Sequence, residues 1–328
     1  MLGFLAFAFT LNLVWTSLVF VILAGTEPVF TQSASEFQRR LQVDTHVPVL
    51  LDVQLSKADV QIAYSRDEQV SITATVQAPI GAKASSEFLA SALTVEQQDN
   101  HIRISHSDNA GTTSKTGIVC RIDVPYRTEV RSIVQNGKQT VTGILGPVKT
   151  EIKNGDVKIS YISKSVEAES GSGNLALQMI GGRVEARTGN GNISCIRAAE
   201  GVIAETGDGD IILAVVGPSK ATVKNGIGRI EVGGARGSFS GSTAGGDLHV
   251  KAIPHDDWLL NTASGNIRVE LPPAARFEVD ATANLGEILI DRNDIALPNE
   301  KVRRLHQKVN GGGKHIDLRS NSGNIVIR

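Results

Sequence analysis

The sequence predicts an all-β protein: a right-handed parallel β-solenoid with about 18 residues per coil, preceded by an N-terminal hydrophobic helix. Three observations predict this fold. A glycine-rich phrase recurs at nearly constant spacing, apolar residues alternate with a period of two around each copy, and an uncharged run opens the chain. The 33 glycines and the aromatic content of 4% also favour a stack of small, similar layers over one large core.

The repeat is clearest between Arg187 and Leu213, where TGNGNISC is followed by TGDGDIIL. The residue after the turn glycine returns at steps of 18, 18, 18, 19, 18, 19 and 21, a period typical of solenoids. A further copy, SNSGNIVIR, ends the chain after a step of 37, and QNGKQTVTG at 135–143 fits one copy upstream. The aligned positions are Asp156, Asn174, Asn192, Asp210, Arg229, Asp247, Asn266, Glu287 and Asn324.

Each period carries two short apolar alternations, one before the turn and one after it. The pairs Val184/Ala186 and Ile193/Cys195 have the spacing of two that is typical of strands. Nine residues separate Val184 from Ile193 and Ile193 from Val202, so each coil has two strands and two turns. Stacked coils then pair these strands in parallel, about 4.8 Å apart, with like side chains over like.

The glycine-rich phrase is predicted to be the corner between two strands, and therefore scaffold. Glycine is needed where φ is positive or where stacked backbones crowd together, and Asn or Asp tolerates such geometry. The period places Cys195 in an inward column beside Leu177 and Leu213. Cys195 and Cys120 are therefore interpreted as small buried hydrophobic residues, and whether they form a bridge is left open.

The N-terminus is predicted to be a membrane segment. Leu2 to Ala24 has no charged side chain, and this run exceeds the ~18–20 residues that a helix needs to cross a bilayer. It lacks a basic stretch and a small-residue cleavage motif, which favours an uncleaved anchor over a cleaved signal peptide. Both alternatives place the remainder outside the cytoplasm, either anchored in the cell envelope or secreted.

The rest of the chain divides by the regularity of its repeat. An early insertion, APIGAKASSEFLASALTVEQQ, is expected to hold a short helix around Ser85 to Leu93. Caps are expected at both ends, because an open solenoid end would pair with other edges. The predicted organisation is an anchor or signal segment at 1–25, a linker at 26–42, irregular β coils and a cap at 43–130, and a regular solenoid at 131–328 with a cap loop at 292–314.

Nucleic-acid and metal binding are not expected. The net charge is −1, so no overall positive field attracts a polyanion. The GDGD phrase is similar to half of the nonapeptide of calcium-binding β-rolls, but here the aspartate follows glycine directly. The aligned column never places two carboxylates on neighbouring layers and includes Arg229, whereas calcium needs clustered oxygen ligands.

Catalysis is expected only as a minor alternative, polysaccharide cleavage by a lyase or hydrolase. Glu205, Asp208, Asp210 and Lys224 are expected to be neighbours on successive coils, but no aromatic platform for a sugar is evident. No catalytic, cofactor-binding or metal-binding residue is therefore assigned. The other charged groups are interpreted as solvated: His255-Asp256-Asp257, Lys314-His315, the outward residues Glu167, Glu169, Glu185 and Arg187, and the basic run Lys301, Arg303, Arg304, His306 and Lys308.

Several strings resemble a known bacterial family: CRIDVPYRTEVRSIVQNGKQTVTGILGPVKTEIKNGDVKI, ESGSGNLAL, TASGNIRVELPPAARFEVDATANLGEI and NGGGKHIDLRSNSGNIVI. The family is that of putative adhesins, β-strand-repeat domains of unknown function, and the resemblance covers about Val43 to the C-terminus. It implies a right-handed β-helix placed outside the cytoplasm. The function expected is a non-catalytic binding module for a protein or glycan surface. The alternative is a structural or sensory envelope module that acts with a membrane partner.

Overall fold

The computed structural model describes residues 36–77, 89, 92–106, 117–295 and 301–328, which contain 27 strands. The early strands are β1 (Glu36–Gln42), β2 (Val49–Tyr64), β3 (Gln69–Gln77), β4 (Leu93–Gln98), β5 (His101–His106) and β6 (Gly117–Val124). The regular coils contain β7 (Thr128–Asn136), β8 (Gln139–Thr142), β9 (Val148–Asn154), β10 (Val157–Ile162), β11 (Val166–Ser172), β12 (Leu175–Ile180), β13 (Val184–Asn190), β14 (Ile193–Ala198), β15 (Val202–Asp208), β16 (Ile211–Val216), β17 (Ala221–Ile227), β18 (Ile230–Gly233), β19 (Phe239–Gly245), β20 (Leu248–Lys251), β21 (Trp258–Ser264) and β22 (Ile267–Glu270). The C-terminal strands are β23 (Phe277–Ala283), β24 (Ile288–Ile290), β25 (Arg304–Val309), β26 (Lys314–Ser322) and β27 (Ile325–Ile327).

The regular coils stack as two parallel sheets that wrap around a common axis. Sheet A contains the even-numbered strands from β8 to β22, and sheet B contains the odd-numbered strands from β7 to β21. Val184 pairs with Val166 of the coil before it and with Val202 of the coil after it, 18 residues away in each direction. The predicted stacking of like residues over like is therefore confirmed, and the handedness stays a prediction.

The core consists of inward columns, as expected from the period-two pattern. Val184, Ile193 and Val202 are each 0% exposed. Towards the C-terminal end, the sheet B column that contains Val184 and Val202 has the larger residue Phe239. A glycine follows two residues later, at 241. A Cβ atom at Gly241 would lie 3.1 Å from the Phe239 ring, so the large and the small residue compensate in volume.

The N-terminal end departs from chain order. β2 runs through both sheets, and in sheet B its Leu51 pairs with Ile102 of β5 on one side and Val130 of β7 on the other. In sheet A the second half of β2 lies between β6 and β8 in the same way. The first long strand of the chain is thus an inner coil, with later segments on both sides of it.

The C-terminal end repeats this arrangement. Leu318 of β26 pairs with Leu260 of β21 and with Ala281 of β23, so β26 lies between them. β27 lies between β22 and β24. The sequence analysis placed Glu287 directly after Asn266 in the column of aligned corner residues. The structure corrects this order, because the final coil is inserted between these two layers.

Antiparallel strands cover both ends of the stack. At the N-terminal end β3 pairs with β6, β1 with β3, and β4 with β5. At the other end β25, inside the segment predicted as a cap loop at 292–314, pairs with β23. The boundary predicted between residues 130 and 131 falls within β7.

One part of the predicted linker is wrong. Residues Glu36–Gln42 form β1, in which Leu41 is buried and Phe37 packs against the core. The polar run around Arg39 and Arg40 conceals this strand in the sequence, because only two apolar residues mark its inner face.

Three other expectations fall wholly or mostly outside the described residues. The segment at 1–25 and the first part of the linker lie beyond them. Of the helix expected around Ser85 to Leu93, Leu89 and Ala92 are described as helical and buried, while Leu93 begins β4. No helix within the described ranges is long and apolar enough to cross a membrane.

Candidate functional site

The glycine of the repeated corner has a steric role. Gly191 has φ +146°, and a Cβ atom there would lie 2.1 Å from the carbonyl oxygen of Gly173 in the preceding coil. No L-residue with a side chain fits without moving the backbone. The second glycine of TGNGN is therefore part of the scaffold, as predicted.

The threonine of the same phrase holds neighbouring coils together from the inside. Thr188 Oγ1 donates a hydrogen bond of 2.9 Å to the carbonyl oxygen of Gly173, and Thr206 Oγ1 donates one of 2.9 Å to that of Gly191. Both threonines are 6% exposed. These bonds satisfy carbonyl groups that the turn would otherwise leave buried without a partner.

The Asn or Asp at the end of the phrase forms an outer ladder. The backbone N–H of Asn192 donates to Asn174 Oδ1 at 2.9 Å, and that of Asp210 donates to Asn192 Oδ1 at 2.8 Å. A cation interrupts the ladder, because Arg229 donates its backbone N–H to Asp210 Oδ1 but has no side-chain acceptor for the next coil. In stack order the ladder positions are Asp59, Lys138, Asp156, Asn174, Asn192, Asp210, Arg229, Asp247, Asn266, Asn324 and Glu287.

This ladder leaves no cluster of oxygen ligands with surplus negative charge. Acidic members are separated by amides or by a cation, and their carboxylate oxygens accept backbone N–H groups. Within the described part of the chain, no group of three or more His, Cys, Asp or Glu side chains could hold a metal ion. The corner thus has a structural explanation that needs no bound cation.

The outward face of sheet B carries a network of ion pairs. Arg187 pairs with Glu169 of the coil before it, with Glu205 of the coil after it and with Glu185 on its own strand. Lys149 Nζ lies 2.6 Å from Glu167 Oε1, and this hydrogen bond raises the pKa of Lys149. An open groove of 630 Å³ runs beside this network across successive coils.

The residues considered for polysaccharide cleavage lie on or beside this face, and most of them are held in ion pairs. Glu205 lies 3.2 Å from Lys224 as well as 3.3 Å from Arg187. Asp210 belongs to the corner ladder and contacts Arg229. Asp208 is exposed at the end of β15. Because Glu205 and Asp210 are paired with cations at the surface and Asp208 is exposed, the interpretation as a solvated surface fits this face.

A cluster of aromatic side chains, which the sequence did not make evident, lies at the opposite corner, after the strands of sheet A. It contains Tyr64, Tyr126 and Tyr161, the only three tyrosines of the chain, which are 42%, 45% and 56% exposed. The rings of Tyr64 and Tyr126 meet edge to face, with centroids 6.2 Å apart. We refer to these three residues as the tyrosine corner.

The stacking register explains why these tyrosines lie at one corner. Ala63 pairs with Thr142 and Thr142 pairs with Ser160, so the next residues, Tyr64, Gly143 and Tyr161, occupy one position in three successive coils. Tyr126 belongs to the adjoining turn, where its carbonyl oxygen accepts the N–H of Leu145. The sequence separates the three tyrosines by 35 to 97 residues, and only the insertion of β2 between β6 and β8 brings them together.

The histidine motifs singled out in the sequence also come together. Because β21 pairs with β26, the N–H of His315 donates to Asp257 Oδ1 at 2.9 Å, and Lys314 Nζ lies 3.3 Å from Asp256 Oδ1. His255 remains in its own turn, 2.9 Å from the carbonyl oxygen of Ile253.

Asp280 joins the inserted coil to the cap. Its two oxygens lie 2.6 Å from His315 Nε2 and 2.6 Å from His306 Nδ1 of β25. The hydrogen bonds from these two histidines lower the pKa of Asp280, and the bond to Asp280 raises the pKa of His315.

The basic run in the cap is partly paired, which modifies its interpretation as a solvated loop. Lys301 pairs with Glu287, and Lys308 Nζ lies 3.8 Å from Glu278 Oε2. Arg303 and Arg304 form no ion pair within the described residues.

The two cysteines are free and buried, as their interpretation as small hydrophobic residues predicts. Burial raises the pKa of both thiols, of Cys120 and of Cys195, to about 12. Neither thiol therefore has the character of a reactive nucleophile.

Similar solved structures come from bacterial proteins. A putative adhesin from Bacteroides fragilis is 13% identical, with 90% of this chain and 98% of that chain covered and a TM-score of 0.37. A putative adhesin from Parabacteroides distasonis is 11% identical, with 90% and 98% covered and a TM-score of 0.43. A putative cell adhesion protein from Clostridium sporogenes is 11% identical, with 89% and 99% covered and a TM-score of 0.22.

No curated protein matches this sequence. The model of the Toastrack DUF4097 family matches residues 50–328, which is most of the chain and nearly the extent that the sequence resemblance predicts. Neither this family nor the structural neighbours are known enzymes. The chain belongs to the Toastrack DUF4097 family.

Proposed function

We propose that this protein is a non-catalytic binding module of the cell envelope, an adhesin-type domain that holds its partner by surface contact. The observation that carries the proposal is the tyrosine corner, where Tyr64, Tyr126 and Tyr161 are exposed on a hydrogen-bonded β scaffold. Tyrosine is enriched at binding surfaces because it offers a large contact area and loses little conformational entropy. Little else in the described residues explains why all three tyrosines share one exposed corner.

The surroundings of the charged groups support contact over chemistry. The shifted pKa values of the described residues arise from surface hydrogen bonds and ion pairs or, for Cys120 and Cys195, from burial. A catalytic site usually combines a shifted pKa with a cleft and a second group within reach. The charged face of sheet B instead neutralises its carboxylates with Lys149, Arg187 and Lys224.

The uncharged segment Leu2–Ala24 supports attachment to a membrane, with the β coils outside the cytoplasm. In this proposal the segment anchors the module, and cleavage would release it. The partner is a protein or a glycan on a surface, and the net charge of −1 argues against nucleic acid.

The test is adhesion of the full chain, reconstituted in lipid nanodiscs, to immobilised bacterial envelopes and to host matrix. We expect binding that falls at least ten-fold in a variant with Tyr64→Ser and Tyr161→Ser. Lys224→Gln, on the charged face, is the matched control and should bind like the parent. Adhesion no stronger than that of empty nanodiscs would reject the proposal and favour a structural or sensory module.

A further inference from the structure

The tyrosine corner has a geometry that suits one class of ligand. We propose that it binds an acidic polysaccharide, with sugar rings on Tyr64 and Tyr161 and sugar carboxylates on Lys158, Lys164 and Arg197; this inference rests on the binding function proposed above. Two independent features of the corner support it: the gap between the rings and the unpaired cations.

The two ring-bearing positions are separated by a glycine. Tyr64, Gly143 and Tyr161 occupy equivalent positions in three successive coils, so the outer two lie two layers, or about 10 Å, apart. A Cβ atom at Gly143 would lie only 3.0 Å from the Cβ atom of Tyr64. The glycine therefore keeps a gap open between two aromatic side chains, and successive rings of one sugar chain can cover such a gap.

Hydrogen-bonding groups lie directly beside the gap. Thr142 Oγ1 and Ser160 Oγ, one residue before Gly143 and Tyr161, are 3.1 Å apart. Ser160 is buried, so the hydroxyl group that a sugar can reach is that of the half-buried Thr142. A hydroxyl group near an aromatic side chain suits a sugar, because its ring has an apolar face and a polar rim.

The backbone at Tyr161 is left-handed, and this conformation is a feature of the corner. Its φ is +59°, the same position has φ of +55° at Met179 and +62° at Arg197, and it is glycine at 143 and again at 234, with φ of +76° and +71°. Left-handed backbone is unfavourable for a residue with a Cβ atom, so a glycine at position 161 would relieve strain. The side chain of Tyr161 is 56% exposed and contributes little core packing, which leaves its ring available for contact.

The charge around the corner selects an acidic ligand. Lys158, Lys164 and Arg197 are exposed and form no ion pair within the described residues. Arg197 follows Tyr161 by two layers at the same corner position. Glu200, in the turn after Arg197, does not pair with it. Unpaired cations beside exposed rings complement a polymer that carries a carboxylate on its sugars.

The experiment measures binding of the full chain in nanodiscs to immobilised polygalacturonate, with dextran as the neutral probe. We expect polygalacturonate binding that weakens at least ten-fold between about 50 and 300 mM NaCl, because added salt screens the attraction between surface charges. Dextran should bind at least ten-fold more weakly. A variant in which Lys158, Lys164 and Arg197 are each replaced by Gln should lose at least ten-fold in affinity.

The strained residue provides a variant that does not damage the fold. Tyr161→Gly suits the left-handed backbone, so its melting temperature should not fall, while its affinity for polygalacturonate should fall at least ten-fold. Lys149→Gln, on the charged face of sheet B and away from this corner, is the control and should bind like the parent.

Several outcomes would overturn the inference. One is parental binding by Tyr161→Gly, and another is equal binding to dextran. A third is equal binding to vesicles of phosphatidylglycerol, which would assign the cations to a membrane surface. If the chain adheres to envelopes or matrix but not to polygalacturonate, the acidic-sugar site fails and the adhesin-type function stands; if it adheres to nothing, both fail.

Discussion

The middle of the stack and its two ends use the same coil but are assembled differently. In the middle, each strand pairs with its counterparts one coil away, as Val184 does with Val166 and Val202. At the ends, partners are far apart in the chain: Leu51 pairs with Val130, and Leu260 with Leu318. The period thus determines the shape of a coil, whereas the order of the end coils depends on which edges need partners.

Both ends of the stack avoid an unpaired terminal strand in the same way. A terminal strand at the outer edge would have one unpaired side and would fray. β2 and β26 instead lie inside the stack, with a strand on each side, while the outer positions go to coils that antiparallel strands can cover. The consequence for folding is that both ends depend on long-range pairing, which forms more slowly than the pairing of adjacent coils.

The largest expected effect comes from filling the corner glycine. Gly191→Ala places a Cβ atom 2.1 Å from the carbonyl oxygen of Gly173 at φ +146°, so we expect a loss of about 4 kcal/mol in the free energy of unfolding. Gly323→Ala should cost the same, because its Cβ atom would lie 2.0 Å from the Gly265 oxygen in the inserted arrangement. Urea unfolding of the parent and both variants measures this.

The matched control is Gly245→Ala, whose Cβ atom would first meet Ile227 at 4.0 Å. It should change stability by less than about 1 kcal/mol. If Gly323→Ala behaves like this control instead of like Gly191→Ala, the last coil does not stack on the coil that contains Gly265.

A disulfide distinguishes the inserted coil from stacking in chain order. Leu259 and Asp317 are register partners on the outer face, whereas Leu259 and Asp280 are two layers apart. Cysteines at 259 and 317 should therefore cross-link on mild oxidation and add about 3 kcal/mol of stability, since they close a long loop. Mass spectrometry of tryptic peptides and a denaturation curve report both results.

The companion pair at 259 and 280 should stay reduced, because two layers exceed the reach of a disulfide. The natural thiols of Cys120 and Cys195 should not interfere, since both are buried. Efficient cross-linking of 259 with 280, and none of 259 with 317, would show that the coils follow chain order and would contradict the insertion.

The sequence could predict the coil because its causes are local. A strand with period two, a corner that needs glycine, and a step of 18 residues are all visible within one repeat around Gly191. The insertion of β2 and of β26–β27 is not visible, because their strands resemble any other coil. The step of 37 before Asn324 was the available sign that the final copy does not simply continue the stack.

The tyrosine corner was missed for the same reason. Tyr64, Tyr126 and Tyr161 lie in different segments, and their proximity depends on the position of β2. The charged face of sheet B was visible in outline, because its residues follow the period, although the sequence did not show that Arg187 pairs with three glutamates. A periodic surface can thus be read from sequence, and a site that joins distant layers cannot.

A smaller effect compares two buried threonines, one in the regular middle and one near the N-terminal end. Thr206→Val removes the bond from Oγ1 to the carbonyl oxygen of Gly191, and we expect a loss of about 1.5 kcal/mol. Thr150 Oγ1 is buried without a hydrogen-bond partner in the described part of the chain, so Thr150→Val should be neutral or stabilise by up to about 1 kcal/mol. Thermal unfolding of both variants in one buffer provides the comparison.

The position of Thr150 in its column explains the contrast. The next three coils have alanine at the same inward position, so the column itself does not require a polar group: Ala168, Ala186 and Ala204. Equal destabilisation by the two valine variants would mean that the hydroxyl of Thr150 has a partner, and that corner threonines have no special role in joining coils.

The smallest effect is a pH dependence confined to the C-terminal end. The coils between residues 117 and 248 contain no histidine, whereas Asp280 contacts both His315 and His306 of the cap strand. Because the pKa of His315 is raised, its bond to Asp280 stabilises the folded protein. This stabilisation is complete below pH 6.5, the ordinary pKa of histidine, and is lost as the pH rises through the pKa of His315 in the folded protein. The pKa of Asp280 is lowered, so this carboxylate stabilises the folded protein above pH 3.8, the ordinary pKa of aspartate. That stabilisation is lost as the pH falls through the pKa of Asp280 in the folded protein.

Both signs together place the strongest contact between β23 and β26, which contain Asp280 and His315, between about pH 4 and 6.5. Because these side chains are 43% and 44% exposed, solvent screening limits the loss between pH 6 and 8 to about 0.5 kcal/mol. Hydrogen exchange, corrected for its intrinsic pH dependence, should show faster opening of β26 at pH 8 and no matching change in β13. His315→Gln should remove the difference, and an equal response of β13 and β26 would show that the effect is not local to this end.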